Sequence, residues 1–410
     1  MRRLPLHPAC LSIPRGTVAV WLIISLLSAS SALGQSHFID AGVVSEVVVE
    51  DPSSSAPQSV AVKSCVGNNT ICVDPQDEIW LVSAHQAQCK GCCVAARGKQ
   101  PASIEFETQQ LVGSQWQPQS FSDLAISHQS DPGHVTVMVF HGNNTNNEWA
   151  LTRGMQFYDQ IYGQNPDGRT PVRLVIVAWE SEKVLPRPCP DYKLKSARAA
   201  ALGADVGALL GDLGGSRPVL VGYSLGCQIV LSTLTELAAS ECQTSIQYQH
   251  GFHVAVIAPA LEGDFACGDL ATIGSNPLID DAQIFVNRND RVALAARLIN
   301  RKRCEDRSVE PSLVGLADKG RLDSCRFQLH DVTREVRNRH SLVNYIQSAT
   351  VRHHIRQATA KAAAENLSQF VELDGDLPAE ESTVTSVNAD SVSTAAIDAA
   401  AESSASEIQR

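Results

Sequence analysis

VLVGYSLGCQIV, residues 219–230, joins an aliphatic run to a second apolar run through Gly-Tyr-Ser-Leu-Gly. The first run is short, β-branched and continuous, as a strand buried on both faces would be. The second continues as LGCQIVLSTLTELA, residues 225–238, a helical pattern. In a strand–turn–helix setting, Gly222 and Gly226 remove side chains that would clash as the chain reverses. Ser224 is then left on a strained turn with its hydroxyl above the sheet edge, where a nucleophile would sit. The same five residues also occur as a tight corner with no chemistry attached. The remainder of the chain has to supply a base, an acid and an oxyanion site in a workable order.

Outward from this stretch, strands and helices alternate. The runs at 135–140 (VTVMVF), 173–179 (RLVIVAW), 217–222 (RPVLVG), 253–260 (HVAVIAPA), 283–287 (QIFVN) and 326–332 (RFQLHDV) read as strands. Helical patterns cover 148–162, 194–213, 225–239, 291–301 and 342 to about 364. This alternation predicts an α/β protein with a mainly parallel central sheet, helices on both faces and right-handed crossovers. No glycine-rich dinucleotide fingerprint and no phosphate-binding loop follow the first strand. No cofactor and no metal are therefore expected.

A serine hydroxyl needs a base, because it is a poor nucleophile at neutral pH. In sheets that carry a serine on such an elbow, an acid and then a histidine follow on loops beyond later strand ends. Asp290 lies just after QIFVN, and His340 lies in the loop after RFQLHDV, at the start of the next helix. Asp264, after the preceding strand, is the alternative acid, while Asp280 and Asp281 precede their strand and fall at the wrong end of the sheet. An N-cap for the helix starting at Arg291 is the structural alternative for Asp290. His330 reads as packed within the last strand, and His353 and His354 as solvated on the closing helix. For the oxyanion, the backbone amide of Leu225 is one donor and that of Asn143, in the His141-Gly142-Asn143 turn after the first strand, is the other. His141 itself reads as a structural prop for that turn.

The N-terminus has the form of an export signal, residues 1–34: Arg2 and Arg3, the apolar run VAVWLIISLL at 18–27, then Ala32 and Gly34 at a cleavage site. That run is shorter than the roughly 20 residues of a membrane span, and no other segment is long and apolar enough. An uncleaved anchor is the other reading of the same signal. A secreted or periplasmic chain, with no membrane span once matured, is expected. There are twelve cysteines, and loss of Cys10 with the signal leaves an odd number. Cys227, one turn into the helix after Ser224, is the expected unpaired thiol. The others suit disulfides in an oxidising compartment, with Cys304–Cys325 and Cys242–Cys267 as guesses at pairing. The cluster at 89–93 (CKGCC) reads as disulfide-forming over metal-binding, because no second pair stands at metal spacing.

Residues 35–132 thus form an N-terminal β-rich, cysteine-containing region with strand-like runs at 78–84 and 102–108, whose later part can supply the first sheet strands. The α/β core spans 133–365, and 366–410 is an acidic Ala/Ser-rich tail of disordered composition. Asn68, Asn143 and Asn366 each begin a weak glycosylation sequon. An apolar fraction of 44% and a charged fraction of 19% are those of a globular protein. A formal net charge of -11, with no basic stripe, excludes nucleic acid as the expected partner.

From about residue 79 to 345 the chain resembles the α/β-hydrolase superfamily, and within it exported bacterial serine hydrolases with a His-Gly loop. The resemblance rests on His141-Gly142, on AWES at 178–181, on Gly222-Tyr223-Ser224-Leu225-Gly226, on Asn287 with Asp290, and on His340-Ser341. It implies Ser224 as nucleophile, Asp290 as acid and His340 as base. Glu180 stands where a proline is usual, Tyr223 where a histidine is common, and Leu342 where an aromatic is common. The expected function is hydrolysis of a small carboxylic ester through an acyl-enzyme. An inactive fold used for extracellular binding is the alternative, as is amide or thioester cleavage on the same sheet. Two segments could cover the site as a lid: 182–194 (EKVLPRPCPDYKL) and 300–324.

Overall fold

The computed structural model describes residues 64–66, 71–84, 106–163, 169–241, 251–260, 278–292 and 327–375. The chain divides into a unit ending at Phe370 and a second, Val371–Arg410, of which the described residues hold only the end of one helix. Two short strands, β1 (Ser64–Val66) and β2 (Ile71–Val73), form an antiparallel hairpin with Cys65 opposite Cys72. Among the described residues no disulfide is present, so the expected disulfide-bearing region is not seen. Cys89, Cys92, Cys93, Cys242, Cys267, Cys304 and Cys325 lie outside the described residues, and so do both guessed pairings.

A nine-stranded sheet holds the rest together. Its strands are β3 (Glu78–Ser83), β4 (Glu107–Val112), β5 (Gln115–Gln119), β6 (Val135–Phe140), β7 (Val172–Ala178), β8 (Val219–Tyr223), β9 (Phe252–Ile257), β10 (Ile279–Val286) and β11 (Phe327–Asp331). Across the sheet the order is β11-β10-β9-β8-β6-β7-β3-β4-β5. Every pairing from β11 through to β3 is parallel, and β4 and β5 add an antiparallel edge. The sequence motifs therefore sit in a mostly parallel α/β sheet, to which the N-terminal region contributes β3, β4 and β5.

Strand composition explains the layering. β6 and β7 are buried at every residue, so each alternate side chain faces a different apolar layer. Met138, Phe140, Val175 and Leu220 pack on one face with helices α1 (Phe121–Ser130), α3 (Pro188–Leu213) and α4 (Gly226–Glu241). Val137, Val139, Leu174 and Ile176 pack on the other with α2 (Asn147–Tyr158) and with the last helices, α6 (Leu342–Ile346) and α7 (Ala349–Gly375). A short helix, α5 (Thr333–Val336), precedes these.

Several boundaries differ from the sequence reading. α3 starts at Pro188, six residues early, because proline suits the first helical turn. The closing helical segment is two helices, with Ser348 breaking the run and capping the second through the Val351 amide at 3.2 Å. That second helix continues to Gly375. The strand read at 102–108 lies at Glu107–Val112. Helix α1 was not read, although Ser120 and Asp123 form a reciprocal capping box at its start.

Below the sheet centre, a polar cluster ties α1 to the strands. The buried Arg173 donates to Glu78 at 2.8 Å, to Ser127 Oγ at 2.9 Å and to Thr136 Oγ1 at 3.2 Å. His128 is buried next to it, with Nε2 facing the carbonyls of Gly214 (3.0 Å) and Ser216 (2.7 Å). Two acceptors at Nε2 require the proton there, so Nδ1 accepts from Thr136 Oγ1 at 2.8 Å. Among the described residues no helix is long and apolar enough to cross a membrane.

Candidate active site

Chain order makes the carboxyl ends of β6 and β8 the point where the sheet's winding reverses. From β6 the chain moves to β7 on one side, then returns to β8 on the other side and proceeds to β9. Loops leaving β6 and β8 therefore diverge, and the gap between them at the carboxyl ends of parallel strands is where ligands bind in such sheets.

The β8 loop is the Gly-Tyr-Ser-Leu-Gly turn. Ser224 has a φ of 54, the left-handed region that a residue with a side chain enters only at a cost. Its amide donates to Ile257 O at 2.9 Å, and its carbonyl accepts from the amides of Cys227 at 3.2 Å and Ala260 at 3.3 Å. The glycines on either side are required by approach distance. A Cβ on Gly226 would lie 2.2 Å from the Phe140 carbonyl oxygen, and one on Gly222 would lie 2.7 Å from the Cys227 backbone. Both contacts are with backbone, which cannot yield.

Ser224 Oγ lies 3.0 Å from His340 Nε2, and His340 Nδ1 lies 2.5 Å from Asp290 Oδ2. The carboxylate beside Nδ1 fixes the proton there and leaves Nε2 free to accept from the serine. Asp290 is 1% exposed at its side chain and His340 17%, so the carboxylate is dry and the imidazole reaches the surface. The other carboxylate oxygen, Oδ1, accepts from the Val292 amide at 2.9 Å. Asp290 thus caps the first turn at Arg291 with one oxygen and orients His340 with the other. The two readings of this residue are compatible. Asp264 lies outside the described residues.

Side chains missed by sequence reasoning lock this arrangement. The Tyr223 hydroxyl donates to the backbone carbonyl of His340, and Asn287 Nδ2 donates to the carbonyl of Arg339 at 3.2 Å. Tyr345, fully buried on α6, donates its hydroxyl to Asp290 Oδ2 at 2.9 Å. Burial, then the Asp290 charge, push the phenols of Tyr223 and Tyr345 far up, so both remain protonated donors. No spacing rule marks a tyrosine for such a role, and only the Asn287-x-x-Asp290 pairing had a trace in the sequence.

The β6 loop faces the serine closely. A Cβ on Gly142 would lie 2.9 Å from Ser224 Cβ and 3.0 Å from the Tyr223 ring. Neither the amide of Asn143 nor that of Leu225 makes a hydrogen bond among the described residues, so both remain available as donors. His141 is structural. It is buried and stacks on Trp179 at 5.7 Å, and its Nε2 accepts from the Trp179 amide at 3.0 Å. Its Nδ1 then carries the proton toward Gly142 O at 2.8 Å. Ser181 Oγ lies 3.0 Å from both Gly142 O and Thr145 O, with its one hydrogen to share between them. Asn144, at a φ of 56, accepts at Oδ1 from Lys195 Nζ at 2.7 Å.

Lys195 has no exposed side-chain surface, and its second partner is Asp191 at 2.7 Å. Burial drives the lysine's proton affinity down, while the Asp191 carboxylate opposes that and holds the charge in place. Asp191 Oδ1 also accepts from the amides of Val184 at 2.8 Å and Leu185 at 2.7 Å. The first expected lid segment is therefore a pinned wall. The second, 300–324, lies outside the described residues.

The competing residues fall elsewhere. Asp280 and Asp281 are the second and third residues of β10, at the opposite end of the strand from Asp290, and Asp281 pairs with Lys361 at 2.9 Å. His330 packs within β11 against Phe285, with ring centroids 5.1 Å apart. His353 is exposed, but His354 is partly buried with its ring tilted against His330 at a centroid distance of 3.9 Å, so it is not the solvated residue its position suggested. Cys227 is buried and free; its thiol meets the Gly222 and Ile257 carbonyls at 3.2 and 3.3 Å, and burial pushes it up. It is too poor a thiolate to serve as a nucleophile. Among the described residues no cluster of His, Cys, Asp or Glu is arranged to hold a metal ion. No model of a protein family, no curated protein and no solved structure matches the chain significantly.

Proposed function

We propose that the chain is a serine hydrolase of the α/β-hydrolase type that cleaves carboxylic esters. The observation that carries this reading is the continuous chain from Ser224 Oγ through His340 to Asp290, with the serine held in left-handed backbone on the strand–helix elbow. Strain of that kind costs on the order of 1–3 kcal/mol and persists where it serves a site. A structural corner would not need it together with a buried, aligned acid.

In the reaction, His340 Nε2 takes the Ser224 hydroxyl proton as Oγ forms a bond to the acyl carbon. The carbonyl oxygen, now negative, is held by the Asn143 and Leu225 amides, each worth about 3 kcal/mol to the transition state. Collapse breaks the bond to the alcohol oxygen, which leaves with the proton from His340. Water then attacks the acyl-enzyme, gives its proton to His340, and the acid is released as Oγ recovers that proton. Every proton and leaving group is accounted for by these residues.

Export fits the same reading, since residues 18–27 have the character of a signal core and the Cys227 thiol beside the elbow is buried and inert. Fluorophosphonate labelling of folded protein tests the function. Wild type should label at Ser224 and hydrolyse short p-nitrophenyl esters, and Ser224→Ala should do neither. Absence of labelling in folded wild type, or equal labelling of the variant, would favour the alternative of an inactive binding fold.

A further inference from the structure

Asp290 Oδ2 receives two donors. His340 Nδ1 approaches it at 2.5 Å and the Tyr345 hydroxyl at 2.9 Å. The triad uses the first contact and leaves the second unassigned. Tyr345 is on α6, five residues beyond His340, with its ring wholly buried and tilted against Tyr223 at a centroid distance of 6.4 Å. Its hydroxyl also lies within hydrogen-bonding reach of the Asn287 side chain. A core aromatic at this place would pack equally well as phenylalanine, and the hydroxyl buried against a carboxylate is what needs explaining.

We propose that Tyr345 is a positioning residue for the base: its hydroxyl shares Asp290 Oδ2 with His340, fixing the carboxylate's rotation and drawing off part of the charge that His340 meets. The proposal rests on the triad reading above. Two donors on one oxygen, with the Val292 amide on the other, leave the carboxylate a single orientation. A carboxylate that already donates electron density to a phenol attracts an imidazolium proton less strongly. His340 can then hand its proton on to the leaving group.

Other polar and charged groups face this pair, and none duplicates that contact. From the elbow, the Tyr223 hydroxyl is committed to the His340 carbonyl and the Cys227 thiol to two backbone carbonyls. From α2, the Arg153 guanidinium lies over the Trp149 ring at 5.3 Å and bonds Gln156 at 3.2 Å. From the loop after β10, Asn287 holds the Arg339 carbonyl.

The test is Tyr345→Phe, which removes one oxygen and keeps the ring. With the hydroxyl gone, the full Asp290 charge falls on His340, and the imidazole gains its second proton at higher pH. The titration of the His340 ring nitrogens, read by NMR and identified by its loss in His340→Gln, should move up by roughly half to one pH unit. The acid limb of kcat/KM should move by the same amount, because the base must be neutral to act. Replacing Tyr345 by 3-fluorotyrosine, a more acidic and stronger donor of nearly the same size, should move both downward. It also carries the test if the phenylalanine variant fails to fold. An unmoved titration in both variants overturns the proposal. A shifted titration in a protein that hydrolyses no ester supports the coupling and overturns only the hydrolase reading. Ester hydrolysis with an unmoved acid limb keeps that reading and overturns the proposal.

Discussion

The hydroxyl of Tyr223 donates to the backbone carbonyl of His340, so the residue before Ser224 holds the main chain of the histidine that faces it. The contact closes a loop that the triad leaves open. Asp290 fixes the imidazole at Nδ1, yet the loop carrying His340 could still slide along the sheet edge without a tether to the elbow. Tyr223 supplies that tether, and its ring lies tilted beside the imidazole at a centroid distance of 5.5 Å. The tyrosine changes how the His340 backbone is held and has no part in the contacts of the imidazole nitrogens.

Tyr223→Phe should therefore lower kcat and leave KM near its wild-type value. One net hydrogen bond is worth about 1 kcal/mol, which corresponds to roughly a fivefold loss. Steady-state kinetics on a p-nitrophenyl ester, with the melting temperature measured alongside, checks this. A rise in KM with unchanged kcat would place Tyr223 in the substrate pocket instead.

Ser224 invites a comparison at one site. At a φ of 54, alanine pays the same backbone cost as serine, whereas glycine does not. Both substitutions remove the hydroxyl and its contact with His340. Ser224→Gly should be more stable than Ser224→Ala by about 1 kcal/mol, although glycine normally costs stability through its unfolded-state freedom. Urea denaturation of the two variants decides it. Ser224→Ala being the more stable would mean that the elbow is relaxed in solution.

How much of this was readable beforehand follows from what each feature needs. The parallel strands were legible because a strand buried on both faces must be continuously apolar, as VTVMVF and RLVIVA are. The edge strand QWQPQ, residues 115–119, was not, since a solvated edge has no such constraint. Ser224, Asp290 and His340 could be placed by the rule that loops follow strand ends in a fixed order. Tyr223 and Tyr345 act through contacts made across the fold, as Lys195 does through Asn144, and neither periodicity nor composition encodes those. His354 was misjudged because its neighbour His353 does face solvent, while the next residue turns inward toward His330.

Lys195 ties the loop after β6 to helix α3. It is fully buried with Asp191 and Asn144 as partners, and Asp191 also caps the Val184 and Leu185 amides. Lys195→Met leaves a carboxylate out of water with no cation beside it, and should cost about 3 kcal/mol or more of stability. Lys195→Met with Asp191→Asn should recover part of that loss, since the uncompensated charge is gone. Denaturation curves of the two single variants and the double variant measure the coupling. A double variant less stable than either single one would contradict the ion-pair account.

Acid should weaken the fold through His128 before the carboxylates take part. Burial brings this imidazole down to about 4 from an ordinary 6.5, because a second proton at Nδ1 would face the Thr136 hydroxyl close to the Arg173 charge. The folded state thus binds fewer protons than the unfolded state between these two values. Stability contributed by the neutral ring is complete above about pH 6.5 and is lost as pH falls toward 4. The loss approaches 1.4 kcal/mol per pH unit in that window and totals about 3 kcal/mol for this one group. His330, held down to about 4 by burial and then by His354, adds a smaller slope of the same sign because it is half exposed. Paired carboxylates such as Glu78 and Glu335 are held below their ordinary value of 4.5, so their contribution is lost only at lower pH. Chemical denaturation at intervals from pH 7 to 4.5 should show stability declining below about pH 6.5 in the wild type. In His128→Gln the protein should be weaker at pH 7 but the decline shallower, by up to one proton's worth of slope. Parallel curves for the two proteins would place the acid sensitivity elsewhere in the fold.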